Sequence, residues 1–186
     1  NRAWIDGNPE SVLIIEFFAD TSKEVNSIVA ECQTMLLLNG AYNAKLINQN
    51  DRNKVWEVRK AGLGLLMGKV GPKKAVAIIE DAAVPVKNLY SYCQEVRSLM
   101  QSYGINAVYY GHASVGLIHI RPELNLSNTQ DQRKMYGIAK DISKIVKKYH
   151  GSLSGEHGDG RIRSPFLKEQ FGEVVYKYFV DLKHIF

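Results

Sequence analysis

Residues 107 to 121 read AVYYGHASVGLIHIR. Two short stretches rich in apolar, β-branched and aromatic residues, 107–112 and 117–121, are separated by four residues, 113–116. Four residues is the length of a hairpin connection, so the two stretches are expected to pair as antiparallel strands. In that pairing His112 faces Leu117, and His119 is its diagonal neighbour on the same face of the sheet. Diagonal neighbours lie roughly 7–8 Å apart, within reach of long or aromatic side chains. Small residues around the turn, Gly111, Ala113, Ser114 and Gly116, leave room for a ligand near the backbone.

The rest of the chain alternates strand and helix signals. Val12–Phe18 (VLIIEFF) is a buried-strand candidate, too short and too continuous for an amphipathic helix. Thr21 and Glu24 form a capping-box pattern for a helix to about Leu38, closed by Asn39-Gly40. Residues 41–48 alternate like a strand, and 50–68 read as a helix. Ala75–Ile79 (AVAII) is a further buried strand running into Glu80-Asp81. Helices are expected over 87–103 and 129–149, the latter with Met135, Ile138, Ile142, Ile145 and Tyr149 at helical spacing. Ser164-Pro165 opens a last helix. The order β-α-β-α-β-α-β-β-α-loop-α implies an α+β sandwich: a mostly antiparallel sheet, ferredoxin-like, with helices packed on one face. A doubly wound parallel sheet is disfavoured because no glycine-rich fingerprint follows the first strand, whose turn reads ADTSKE.

The chain has 186 residues, enough for one sizeable domain. No apolar run approaches the roughly 20 residues that span a bilayer. Its net charge of +5 is scattered among 19 acids, which argues against a nucleic-acid partner. Cys32 and Cys93 have no CxxC-type partner, so a disulfide framework and a cysteine zinc site are not expected. The opening residues are polar and carry no signal peptide. The expected location is cytoplasmic or peripheral to a membrane.

A second segment carries chemistry. SGEHGDGR, residues 154–161, sets Glu156, His157 and Asp159 among Gly155, Gly158 and Gly160. Glycine costs conformational entropy on folding, so stability alone gives no reason to build such a loop; a binding loop gives one. The plain alternative for each histidine is a hydrogen-bonded, half-buried side chain, and for the loop a polar turn. Taken together, the two segments supply two histidines and a carboxylate, a common first shell for catalytic zinc, manganese or iron. Arg59 and Lys74 read either as surface cations or as clamps on a carboxylate.

Four motifs, WEVRKAG (56–62), KAVAIIEDAAVP (74–85), YGHASVGLIHIRPEL (110–124) and GSLSGEHGDGR (151–161), occur in one order. In this the chain resembles the C-terminal, substrate-binding (cap) domain of FAD-linked oxidases of the vanillyl-alcohol-oxidase superfamily. That group includes glycolate oxidase, D-lactate dehydrogenase and D-2-hydroxyglutarate dehydrogenase. The GHASVGxxHIRP version is similar to large fused proteins with an FAD domain in front and an iron–sulfur domain behind. The resemblance implies that residues 1–186 are one domain, a fragment whose FAD-binding domain and C-terminal continuation lie outside it.

The resemblance also implies roles. His112, His119 and Glu156 bind a divalent metal, zinc or manganese. His157 is the general base. Arg59, Lys74 and Arg121 contact substrate carboxylates, and Gly155 and Gly158 lie on the cofactor side. The implied reaction is oxidation of a D-2-hydroxy acid: the metal polarises the hydroxyl, His157 takes its proton, and hydride passes to flavin N5. The implied partners are the FAD domain of the same parent chain and an iron–sulfur domain or subunit. Two departures stand out. Leu117 replaces the polar residue usual before the second histidine, and Arg121 stands where metal-dependent relatives often carry Asn. A non-redox anion- or metal-binding module, a metallohydrolase and an RNA-binding sheet are the rivals. The last is disfavoured because Tyr109 and Tyr110, adjacent in a strand, point to opposite faces.

Overall fold

The structure is a computed structural model that describes residues 4–186. The described residues divide into two compact units, 4–66 and 67–186.

In the first unit the capping box forms as expected. Thr21 Oγ1 accepts from the Glu24 amide, and the Glu24 carboxylate accepts from the Thr21 amide, which starts helix α1 (Ser22–Leu38). Helix α2 follows (Gln49–Met67). The two strands expected at 12–18 and 41–48 do not form; neither segment pairs in a ladder. Val12, Leu13, Ile15 and Phe18 stay exposed. An apolar run signals a preference for burial, but a strand also needs a neighbour to take its backbone hydrogen bonds. What fastens these segments is polar. Asp6 accepts from Asn43 and Lys45, its carbonyl accepts from Tyr42, and Arg52 pairs with Glu16 at 2.5 Å.

The second unit is built around one strand. The expected hairpin forms between β3 (Ala107–His112) and β4 (Leu117–Leu124), antiparallel, with His112 opposite Leu117 and Tyr110 opposite His119. Gly116 has φ 75°, and a Cβ there would fall 1.8 Å from the Val84 carbonyl oxygen, so the turn requires glycine. The other edge of β4 takes two two-residue strands, β1 (Lys74–Ala75) at Glu123–Leu124 and β2 (Ala82–Ala83) at Leu117–Ile118. The five-residue strand expected over 75–79 is thus shorter. After Val76 the chain leaves the edge of β4, burying Ile78 and Ile79, and returns at Ala82.

Helix α3 (Leu89–Ser102) joins β2 to β3, and α4 (Thr129–Lys148) follows β4. Ser152 then pairs with Ala83 through two backbone hydrogen bonds, an antiparallel bridge beside β2. The resulting order, 152–β2–β4–β3, is that of a β-α-β-β-α-β unit. It confirms the α+β class and the antiparallel sheet. Side chains alternate along β4. Ile118, Ile120 and Leu124 turn to the core with Tyr92, Val96 and Met100 of α3 and Ile138, Ile142 and Val146 of α4. Leu117, His119, Arg121 and Glu123 turn to the opposite face.

The chain ends in a short helix α5 (Gly160–Arg163), a 3-10 turn at Ser164–Phe166 and α6 (Leu167–Ile185), which breaks at Gly172 (φ 81°, ψ 169°). The expected N-cap at Ser164 does not form; its hydroxyl donates to the Arg161 carbonyl. No helix among the described residues is long and apolar enough to cross a membrane.

Candidate functional site

The topology brings three segments together on the face of the sheet opposite α3 and α4. The face of β3 and β4 supplies Tyr110, His112, His119 and Arg121. The segment that leaves β4 before β2 supplies Glu80 and Asp81. The loop after the Ser152 bridge supplies Glu156 and His157.

Asp81 fastens that loop. Its buried carboxylate accepts from Ser154 Oγ (2.6 Å) and from the amides of Glu156 (3.2 Å) and His157 (2.7 Å), while its carbonyl accepts from the Gly155 amide. Burial pushes the Asp81 carboxyl up, but these donors outweigh it and hold it below its ordinary value. Gly155 lies so close to the sheet that a Cβ would fall 2.5 Å from Leu117 Cδ1. Leu117 thus packs under the loop, which accounts for an apolar residue at that position. Gly158 has φ 77° and open space around it. Arg163, buried, donates to the Gly158 carbonyl.

Glu80, 8% exposed, sits between the imidazoles. Its carbonyl pairs with His119 Nδ1. Its carboxylate lies 3.0 Å from His157 Nδ1 and 3.1 Å from Arg121 Nη2. Arg121 also donates through Nε to the Tyr110 hydroxyl (2.8 Å) and lies 3.5 Å from Met67 Sδ. A carbonyl and a carboxylate only accept, so both imidazoles carry their hydrogen on Nδ1. Their Nε2 atoms then present lone pairs. Both face one atom, Glu156 Oε1, at 3.3 Å from His119 and 3.2 Å from His157.

Three lone-pair atoms this close repel unless a proton or a cation lies among them. The donor set, imidazole nitrogens with a carboxylate, is one that zinc and manganese accept. The residues therefore fit a divalent cation. A ligand atom each from Asp81, His119, Glu156 and His157 lies within 4.8 Å of the others. Asp81 is the poorest donor of the four, because its oxygens already receive loop hydrogens. His157 titrates above its ordinary range, chiefly through the Glu80 hydrogen bond, opposed by burial and assisted by the charges of Asp81, Glu80 and Glu156. Its side chain is 48% exposed and that of Glu156 40%, so the cluster opens to solvent on one side.

The sequence-derived residues are distributed unevenly. His119, Glu156 and His157 converge. His112 shares their face, its ring centroid 6.0 Å from that of His119 and nearly perpendicular to it, but it is exposed and outside the 4.8 Å group. His157 lies parallel to His119 with centroids 5.4 Å apart. Arg121 joins the site through Glu80. Lys74 donates to the Lys69 carbonyl. Arg59 belongs to α2 in the first unit. Sequence reasoning missed Glu80, Asp81 and Tyr110. The available signal was an acidic pair closing a buried apolar run, where unpaired charges are costly.

Comparisons with known proteins bear on the family. Residues 2–186 match the family described as FAD linked oxidases, C-terminal domain. The chain is 28% identical over 180 residues to a D-2-hydroxyglutarate dehydrogenase of Pantoea ananatis, covering 93% of this chain and 18% of that protein. It is 33% identical over 133 residues to the D-2-hydroxyglutarate dehydrogenase of Escherichia coli K12 (72% and 13%). It is 26% identical over 170 residues to a D-lactate dehydrogenase of Archaeoglobus fulgidus (91% and 35%). The chain thus spans less than a fifth of the D-2-hydroxyglutarate dehydrogenases named here. With its motifs, its antiparallel α+β unit and this match over nearly its whole length, the chain belongs to the C-terminal domain family of the FAD linked oxidases.

Proposed function

We propose that this chain is the substrate-binding part of a longer FAD-dependent dehydrogenase that oxidises a D-2-hydroxy acid, with D-2-hydroxyglutarate the first candidate and D-lactate the second. The observation that carries the reading is the convergence of His119 Nε2, His157 Nε2 and Glu156 Oε1 on the open face of β4. The names of the relatives supply the substrate class. FAD, when bound, supplies hydride acceptance, and a divalent zinc or manganese supplies electrophilic polarisation, neither of which side chains provide.

The chain's own residues do the rest. His112, His119 and Glu156 hold the metal. His157 receives the hydroxyl proton at Nε2, its hydrogen-bearing Nδ1 being held by Glu80. Arg59 is proposed to grip a substrate carboxylate; Lys74 donates to the Lys69 carbonyl and Arg121 to the Glu80 carboxylate. Gly158 leaves the open side of the loop clear for the cofactor. In the parent protein an FAD domain precedes this segment, and an iron–sulfur domain or subunit carries electrons onward.

A second reading gives His157, not His112, to the metal, because His157 lies in the 4.8 Å group and His112 does not. Metal content of the complete gene product, measured after gel filtration, separates the two. The first reading expects loss of metal in His112→Ala, His119→Ala and Glu156→Gln, with full retention in His157→Ala. Retention in His112→Ala with loss in His157→Ala transfers the ligand role to His157. Full retention in His119→Ala removes the metal site altogether.

A further inference from the structure

One residue touches both imidazoles and has no role in the reading above beyond its contact. Glu80 binds His119 Nδ1 with its backbone carbonyl and His157 Nδ1 with its carboxylate. It reaches this place because residues 77–81 swing away from β4 between β1 and β2, and it is 8% exposed there. Its other carboxylate oxygen receives Arg121 Nη2 at 3.1 Å. Arg121, equally buried, is itself held by the Tyr110 hydroxyl and lies beside Met67 Sδ.

Resting on the hydroxy-acid reading, we propose that Glu80 is the positioning residue of this site, and that Arg121 acts on the site through Glu80. The carboxylate keeps the His157 hydrogen on Nδ1, so that the Nε2 lone pair faces the open side. Arg121 can only donate, so it fixes which carboxylate oxygen is left for the imidazole. Tyr110 keeps the guanidinium in place. Arg121 is thereby a second-site control on His157 rather than a direct grip on substrate.

This arrangement makes an unusual prediction for the isosteric amide. In Glu80→Gln the amide oxygen is drawn to Arg121, which offers only hydrogens. The amide NH2 group is then left facing His157 Nδ1. Two donors cannot face each other, so the ring moves its hydrogen to Nε2 and loses the lone pair that should accept the substrate proton. If Arg121 is also replaced by Met, an apolar partner for Met67, the amide is free to rotate. Its oxygen then faces Nδ1–H and the working tautomer returns.

The test uses the complete gene product with its FAD. Anaerobic mixing with D-2-hydroxyglutarate, and in parallel D-lactate, follows flavin reduction. Acylation by diethylpyrocarbonate, read by mass spectrometry on the peptide holding His157, follows the nucleophilic Nε2 independently of any substrate. The expected result is a fall in reduction rate of about a hundredfold in Glu80→Gln, the share a positioned proton acceptor ordinarily contributes, with KM changed less than about threefold. His157 acylation slows in the same variant, and the double variant Glu80→Gln/Arg121→Met recovers about tenfold of both signals. A purely structural Glu80 makes the double variant no better than the single one, and that result overturns the proposal. If the unsubstituted protein reduces its flavin with neither acid, the hydroxy-acid reading falls. The acylation order of the three proteins then decides the role of Glu80 by itself.

Discussion

The two units of this chain use similar apolar sequence and reach different ends. In 67–186 the apolar positions of β4, α3 and α4 interlock, and the core includes Ile120, Leu124, Val96 and Ile142 with essentially no exposure. In 4–66 helix α1 buries no residue, α2 buries only Val55, and the apolar run 12–18 keeps Val12, Leu13, Ile15 and Phe18 exposed. Hydrophobic pattern is thus only half of a strand or helix; the other half is a neighbour at the right distance. The site lies where neighbours are most complete, because positioning several polar atoms to tenths of an ångström needs a rigid sheet beneath them.

The sharpest way to break this contrast is to truncate equivalent isoleucines. Ile120→Ala, on the core face of β4, should lose about 2–5 kcal/mol in denaturant unfolding. Ile15→Ala, in the apolar run, should lie within about 0.5 kcal/mol of the parent. Equal losses would mean that the first unit has a core of the same quality as the second.

A smaller effect is expected where the loop meets the sheet. Asp81→Ala removes the acceptor for Ser154 and for the Glu156 and His157 amides and should cost about 1–3 kcal/mol. Hydrogen exchange should accelerate at those two amides and leave α4 unchanged. The sign of the pH dependence follows from the same bonds. A carboxyl held below its ordinary value of 3.8 adds stability above that value, and this is lost as pH falls through the lower, folded-state value. Protection of Glu156 and His157 should therefore fail first on acidification below about pH 4, and this loss should be absent in Asp81→Asn.

Smaller again is the cap of α1. Thr21→Ala removes one half of the capping box and should cost about 1 kcal/mol. In a unit with so little burial that cost should appear as faster exchange confined to α1. Loss of protection in α3 or α4 would contradict that confinement.

What could be read from sequence follows the same division. The hairpin register was legible because a four-residue connection leaves little choice of pairing, and it put His112 and His119 on one face. Helices α1, α3 and α4 were legible from caps and 3.6-residue spacing. Strand β4 runs past Arg121 through Pro122, whose carbonyl accepts from the Val76 amide where the 74–76 edge ends. Strands 12–18 and 41–48 were misread because an apolar run or an alternating pattern states a preference and not a partner. In the site, Glu156 and His157 were legible as chemistry-bearing residues flanked by glycine, and His119 as one of two histidines that the hairpin sets on one face. Glu80 and Asp81 were not, since their meaning depends on a bulge out of a strand that sequence shows only as an apolar run. Arg121 reads as a contact for a substrate carboxylate until the buried carboxylate beside it is known.

The central claim is that this face of β4 removes a proton from a hydroxy acid through His157. Anaerobic single-turnover reduction of the flavin by D-2-hydroxyglutarate, in the complete gene product carrying His157→Ala, tests it most directly. The account predicts that FAD and metal remain bound while reduction slows by at least about a hundredfold. Reduction at close to the unsubstituted rate would contradict it.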